Sequence, residues 1–206
     1  MKRLIVIVYL LLNGCIIYCQ SQPFHIESLS AEMGLSQNTV TCIFQDSRGY
    51  LWIGTQNGLN RYDGYSIKVY KRNFNNENCI SNNGINSIYE DNGKKLWIAT
   101  NNGLNMFDPD SGIFKQFVVS ENDSNTLSGN FIRDVCQDRQ GNYWIATRGR
   151  GLDMYDARLG RFRNYRNDPK NLRSLSSNAL TSVCIDVSGN LWIGTWGGGQ
   201  MKFLLR

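Results

Sequence analysis

Leu35-Ser-Gln-Asn-Thr-Val-Thr-Cys-Ile-Phe-Gln-Asp46 recurs three more times along the chain, and that recurrence decides the fold. The later copies are Ile80-Ser-Asn-Asn-Gly-Ile-Asn-Ser-Ile-Tyr-Glu-Asp91, Leu127-Ser-Gly-Asn-Phe-Ile-Arg-Asp-Val-Cys-Gln-Asp138 and Leu175-Ser-Ser-Asn-Ala-Leu-Thr-Ser-Val-Cys-Ile-Asp186, aligned without a gap. Each continues through a Gly-bearing turn to a Trp six residues past the Asp: Trp52, Trp97, Trp144 and Trp192. The steps between these tryptophans are 45, 47 and 48 residues. A period of this size belongs to solenoids and propellers, in which one unit cannot bury its own faces and stacks on the next.

The first copy predicts four short strands. Thr39 to Gln45 is a β-branched and aromatic run. Asp46-Ser-Arg-Gly49 is a turn, since Asp bonds backbone donors two residues on and Gly accepts a positive φ. Leu51 to Thr55, Leu59 to Tyr62 and Tyr65 to Tyr70 follow as strands, separated by turns at Gln56-Asn-Gly58 and Asp63-Gly64. Four antiparallel strands with tight links describe a propeller blade. The second strand reads Leu-Trp-Ile-Gly-Thr, with apolar residues on both faces, as a blade between two neighbours requires. Gly54, Ala99, Ala146 and Gly194 share one position, which points to close approach by the adjacent blade. The four tryptophans read as inter-blade packing. Asp46, Asp91, Asp138 and Asp186 recur once per repeat, which favours a turn role over catalysis.

The predicted fold is therefore all-β, with blades of four antiparallel strands at about residues 34–78, 79–125, 126–173 and 174–206. A lone strand at 24–29 is expected as an outer closing strand. Residues 1–20 form a separate object: Lys2 and Arg3 precede the apolar run Leu4 to Leu12, which reads as an export signal. Even Leu4 to Cys19 is shorter than the ~20 apolar residues a membrane span needs. The formal charge of +5 falls to +3 without Lys2 and Arg3, too little to imply nucleic-acid binding by this region. The locally basic stretch Arg148 to Arg173 reads mainly as a solvated edge. Cys136 and Cys184 share a repeat position with Phe44 and Tyr89, so buried free thiols are expected there. No Cys-x-x-Cys pair or Cys/His cluster points to a metal, and no cofactor is expected.

Three blocks carry a further signal: Gly34-Leu-Ser-Gln-Asn38, Asp46-Ser-Arg-Gly-Tyr-Leu-Trp-Ile-Gly-Thr55 and Asn57-Gly-Leu-Asn-Arg-Tyr-Asp-Gly64, with their downstream counterparts. The chain from about Phe24 onward resembles the two-component regulator propeller repeat. That resemblance implies seven-bladed propellers, usually two in tandem, in the periplasmic part of hybrid sensor kinases of Bacteroides-type bacteria. It implies inner-membrane anchoring of the whole sensor, homodimers in the full-length family, and detection of poly- or oligosaccharide breakdown products. Length departs from the family pattern: seven blades of ~46 residues need roughly 320 residues, and the last repeat is short. An incomplete, open part of a seven-bladed propeller is the expectation, with a closed four-bladed ring as the alternative. The remaining blades or a second propeller would then be partners.

The sole histidine, His25, lies ahead of the first repeat without an evident partner for general acid-base work. A kinase needs a phospho-accepting His on a helix and a nucleotide-binding domain. Neither is legible, so no catalytic residue is assigned. A structural or protein-interaction propeller is the rival function, and a propeller lyase a distant one. A ligand is expected at the turns between second and third strands, which gather with the Ser-x-Asn segments around the central channel. Gln56, Asn57, Asn101, Asn102, Arg148, Arg150 and Trp196 are the candidates. Amides and guanidinium groups suit sugar hydroxyls or uronates, and an exposed indole offers an apolar platform. Asn57 and Asn102 are equally good turn formers.

Overall fold

The computed structural model describes residues 26–203. The expected export segment at residues 1–20, together with Phe24 and His25, lies outside the described residues. Blade 1 consists of β1 (Val40–Gln45), β2 (Leu51–Thr55), β3 (Gly58–Tyr62) and β4 (Ile67–Tyr70). Blade 2 holds β5 (Ile85–Glu90), β6 (Leu96–Thr100), β7 (Gly103–Asp108) and β8 (Ile113–Phe117). Blade 3 holds β9 (Ile132–Gln137), β10 (Tyr143–Thr147), β11 (Gly151–Asp156) and β12 (Arg161–Tyr165). Blade 4 has three strands, β13 (Leu180–Ile185), β14 (Leu191–Thr195) and β15 (Gln200–Phe203). Every sheet is antiparallel and follows chain order, as in a β-propeller.

The hydrophobic cores lie between blades rather than within them. Trp52 and Leu59 of blade 1 pack with Ile80, Ile85, Ile88 and Ile98 of blade 2. Trp97, Ala99 and Leu104 meet Leu127, Ile132, Val135 and Ile145. Trp144, Ala146 and Leu152 meet Leu175, Leu180, Val183 and Ile193. Blades 1, 2 and 3 thus each present their Trp to the blade that follows, while that blade returns apolar side chains from its first and second strands and from the segment just before them. Gly54 marks how close the sheets come: a Cβ there would stand 2.7 Å from Cγ2 of Ile85 in the next blade.

One clasp recurs in every blade. The indole Nε1 donates to the Asp side chain six residues earlier: Trp52 to Asp46 at 2.7 Å, Trp97 to Asp91 at 2.8 Å, Trp144 to Asp138 at 2.9 Å and Trp192 to Asp186 at 2.8 Å. The other carboxylate oxygen accepts backbone N–H groups of the turn, such as those of Arg48 and Tyr50 on Asp46. One carboxylate therefore shapes the turn and satisfies a buried indole donor, which would be costly to leave unpaired.

The arc ends in two open faces. Val40 and Ile43 sit where Ile85 and Ile88, Ile132 and Val135, and Leu180 and Val183 are buried against the preceding blade. They are 41% and 66% exposed. At the other end Cys184 is exposed, whereas Cys136 at the same repeat position is buried. The expectation of a buried thiol at Cys184 is corrected: the apolar position is real, but no following blade covers it.

The expected strand at 24–29 is also corrected over its described residues, 26–29. Residues 26–30 form no strand and lead into a single 3-10 turn at Ala31–Met33. The physical reason is the path of the chain. The Ala31 N–H donates to Asn38 Oδ1 at 2.7 Å. Asn83, Asn130 and Asn178 offer the same oxygen to the backbones of Arg72, Val119 and Asn167 in the inter-blade linkers. The segment before blade 1 therefore follows a linker path beside blade 1 and does not pair with β15. Among the described residues no helix is long and apolar enough to cross a membrane.

Candidate functional site

The inner strands carry a β-bulge at one shared place, between Val40 and Cys42, Ile85 and Ser87, Ile132 and Asp134, and Leu180 and Ser182. A bulge inserts one residue and re-aims its side chain. The inserted residues are Thr41, Asn86, Arg133 and Thr181. Thr41 Oγ1 donates to the Ile85 carbonyl and Asn86 Nδ2 to the Ile132 carbonyl, each at 2.7 Å. Thr41 and Asn86 thus reach the next inner strand.

A second set stands directly after the second strand of each blade: Gln56, Asn101, Arg148 and Trp196. In blade 2 the two sets touch, with Asn86 Nδ2 donating to Asn101 Oδ1 at 3.0 Å. In blade 3 the same two places hold Arg133 and Arg148. Both line a cavity of about 300 Å3 with Ala179, Leu180, Thr181 and Trp196. Backbone hydrogen bonds flank this cavity. Arg148 N–H donates to Phe131 O at 2.9 Å, and Trp196 N–H to Ala179 O at 2.7 Å. The Arg148 guanidinium carbon lies 5.0 Å from the centre of the Phe131 ring, a cation–π geometry. Trp196 is 78% exposed and, unlike the other tryptophans, forms no clasp with an Asp.

The sequence candidates separate into groups. Arg148 and Trp196 come together. Gln56 and Asn101 occupy the equivalent rim places of blades 1 and 2. Asn57 and Asn102 serve the turns, their N–H groups donating to Thr55 Oγ1 at 3.0 Å and Thr100 Oγ1 at 3.2 Å. Arg150 does not line the cavity; its side chain lies along Gly129, and its N–H donates to Thr147 Oγ1. Arg133 was missed by sequence reasoning, as were Thr41, Asn86 and Thr181. Their signal was available: Val40 and Ile43, and their counterparts, are apolar three residues apart and face one way, a spacing that strict alternation forbids and a bulge explains.

Two carboxylates near this region serve structure. Asp134 accepts from Ser87 Oγ at 2.6 Å and from the Val183 N–H at 3.0 Å, tying blades 2, 3 and 4 together. Burial raises its pKa. Asp153 is fully buried and accepts from Ser128 and Asn164, at the place where Asn60 and Asn105 stand in earlier blades. Burial raises its pKa as well. Two grooves larger than the rim cavity lie beside inter-blade linkers: one of about 540 Å3 against β15, the third strand of blade 4, and one of about 570 Å3 against β8, the fourth strand of blade 2. Among the described residues no group of three or more His, Cys, Asp or Glu side chains is placed to hold a metal ion.

A rim of this kind offers amides to hydroxyl groups, guanidinium groups to an acidic group and an indole to a flat apolar face. The extracellular domain assigned to the hybrid two-component system BT3049 of B. thetaiotaomicron is 30% identical and superposes with a TM-score of 0.78, over 87% of this chain and 25% of that one. The corresponding domain of BT4673 from the same organism is 26% identical with a TM-score of 0.75, over 91% and 24%. Histidine kinase P4 of Formosa agariphila is 44% identical over 54 residues, 26% of this chain and 4% of that protein. The chain thus spans about a quarter of the solved structures and a small part of the curated relative. Streptogramin B lyase, at 13% identity and a TM-score of 0.59, shares the fold alone. The profile described as two-component regulator propeller matches residues 34–57, 79–102, 126–149 and 174–197, one match at the start of each blade. By these four repeats, the chain belongs to the two-component regulator propeller family.

Proposed function

We propose that the chain is part of the ligand-sensing propeller of a hybrid two-component regulator, and that its ligand is a poly- or oligosaccharide breakdown product. The observation that carries this reading is the rim of blades 3 and 4. There an indole free of structural duty stands over a cavity of about 300 Å3 beside two arginines. The other four tryptophans are committed to Asp clasps, and Trp52, Trp97 and Trp144 also to packing between blades. A surface indole of this size exposed beside polar donors is a platform for a sugar ring.

The relatives support the sensor part of the proposal, since two of them are extracellular domains of two-component systems. The basic head and apolar run of residues 1–12 support export to the periplasm. On this reading the chain performs no catalytic step; phosphotransfer belongs to other parts of a full sensor. Further blades or a second propeller would cover the two open faces, and dimerisation belongs to the assembled sensor.

A panel of neutral and acidic oligosaccharides, scored by the shift in melting temperature, tests the proposal. At least one should raise it, and Trp196→Ala should abolish the rise. A flat response across the panel would favour the second reading, a protein-interaction propeller. The exposed apolar faces at Val40, Ile43 and Cys184 support that alternative.

A further inference from the structure

We infer that the rim of blade 3 is an anion site, at which Arg133 and Arg148 together hold the carboxylate or sulfate group of an acidic oligosaccharide while Trp196 carries a sugar ring. This rests on the sugar-sensing reading above and adds the charge of the ligand to it. The argument starts from repeat equivalence. The bulge position and the position after the second strand are within hydrogen-bond distance in blade 2, where both are Asn. In blade 3 both are Arg, and both line one cavity. Two like charges brought together gain nothing from each other and oppose folding slightly.

No ion pair among the described residues involves either side chain. The nearest carboxylate in sequence, Asp134, is turned to Ser87 and to the Val183 N–H. An acidic group from outside would balance the pair. Planar guanidinium groups donate to such groups in two-point contacts, which also fix orientation. Thr181 and the exposed indole of Trp196 complete the wall on the blade 4 side. The rim changes character along the arc, from Thr41 and Gln56, through the Asn86–Asn101 pair, to the two arginines and then to Thr181 and Trp196. Only blade 3 places two positive charges at these positions. A chain of sugars lying along the rim would therefore be read for an acidic group at one place.

The test is calorimetric titration of the protein with four probes: trigalacturonate, a sulfated galactose trisaccharide, neutral galactotriose and sodium sulfate. The expected result is that an acidic trisaccharide binds about 10- to 100-fold more tightly than the neutral one, as charged hydrogen bonds are worth in affinity. Which of the two acidic probes binds identifies carboxylate or sulfate as the group read. Arg133→Gln and Arg148→Gln should each remove most of that preference and flatten its salt dependence, while Arg148→Lys keeps part of it. Melting temperatures of the variants without ligand show that they fold. Equal binding of neutral and acidic trisaccharides, unchanged by either Gln variant, overturns the anion site and leaves the sugar reading standing. Binding of sulfate alone, with no trisaccharide bound, overturns the sugar reading and with it this inference.

Discussion

Replacing Ile88 by Ala and, separately, Ile43 by Ala measures how far stability comes from blade-on-blade burial. The two residues occupy one repeat position on β5 and β1. Ile88 is 7% exposed, between blades 1 and 2, and Ile43 is 66% exposed on the open face of blade 1. Truncating a buried Ile to Ala costs about 2–5 kcal/mol, from lost transfer energy plus the cavity left behind. Ile43 has only about a third of its surface to lose and leaves no cavity, so its truncation should cost under about 1 kcal/mol. The same substitution at equivalent positions should therefore differ by roughly 2 kcal/mol or more. Urea unfolding followed by circular dichroism reads the difference as a shift in midpoint, with the slope compared between variants to keep the transitions comparable. Equal losses at both positions would refute the reasoning, because they would mean that Ile43 is covered as Ile88 is and that the arc closes on itself.

Other expectations follow from the same geometry. Asp138→Ala removes the acceptor for the Trp144 indole and for the turn N–H groups of Gln140 and Asn142, and should cost about 3 kcal/mol by urea unfolding. Asp153 has a pKa raised by burial, so its ionisation weakens the fold as pH rises above the ordinary carboxylate range. Melting temperatures at pH 4 and pH 7 should show Asp153→Asn gaining on the parent as pH rises; a gap that shrinks with rising pH would contradict this. Among the thiols of the described residues, Cys184 should react first with a small thiol reagent under native conditions. Cys136 is buried with its pKa pushed up, and Cys42 is half-buried with its pKa pushed up to about 11. Mass spectrometry of the labelled chain reads the order.

What the sequence made legible was whatever repeats. The second strand, Leu51 to Thr55, is observed with the expected bounds, because Trp, Ile and Thr on both faces leave few alternatives. The place of Gly54 at a close inter-blade approach was equally readable, since only small residues fill that position. The Asp–Trp bond was not foreseen, although the constant six-residue spacing contained it. The bulge was hidden by an assumption of strict alternation, and Arg133 was hidden with it; a residue inserted in a strand cannot be sorted to a face by counting in twos. Cys184 and the described part of the expected first strand, residues 26–29, failed for another reason. Both lie at ends of the array, where burial depends on a neighbouring blade, and the composition of a repeat says nothing about whether that neighbour is present. Of the seven expected ligand residues, Arg148 and Trp196 meet in space, because both follow a second strand and face the entry of β13.

The central claim is a division of labour among five tryptophans: Trp52, Trp97 and Trp144 packed between blades, Trp192 held by its Asp clasp, and Trp196 for a ligand. It is tested most directly by labelling the protein with 5-fluorotryptophan and adding trigalacturonate while recording fluorine NMR spectra. The account predicts that the Trp196 resonance moves with saturable dependence on ligand, and that those of Trp52, Trp97, Trp144 and Trp192 stay in place. Movement of a clasped tryptophan with Trp196 silent would contradict it.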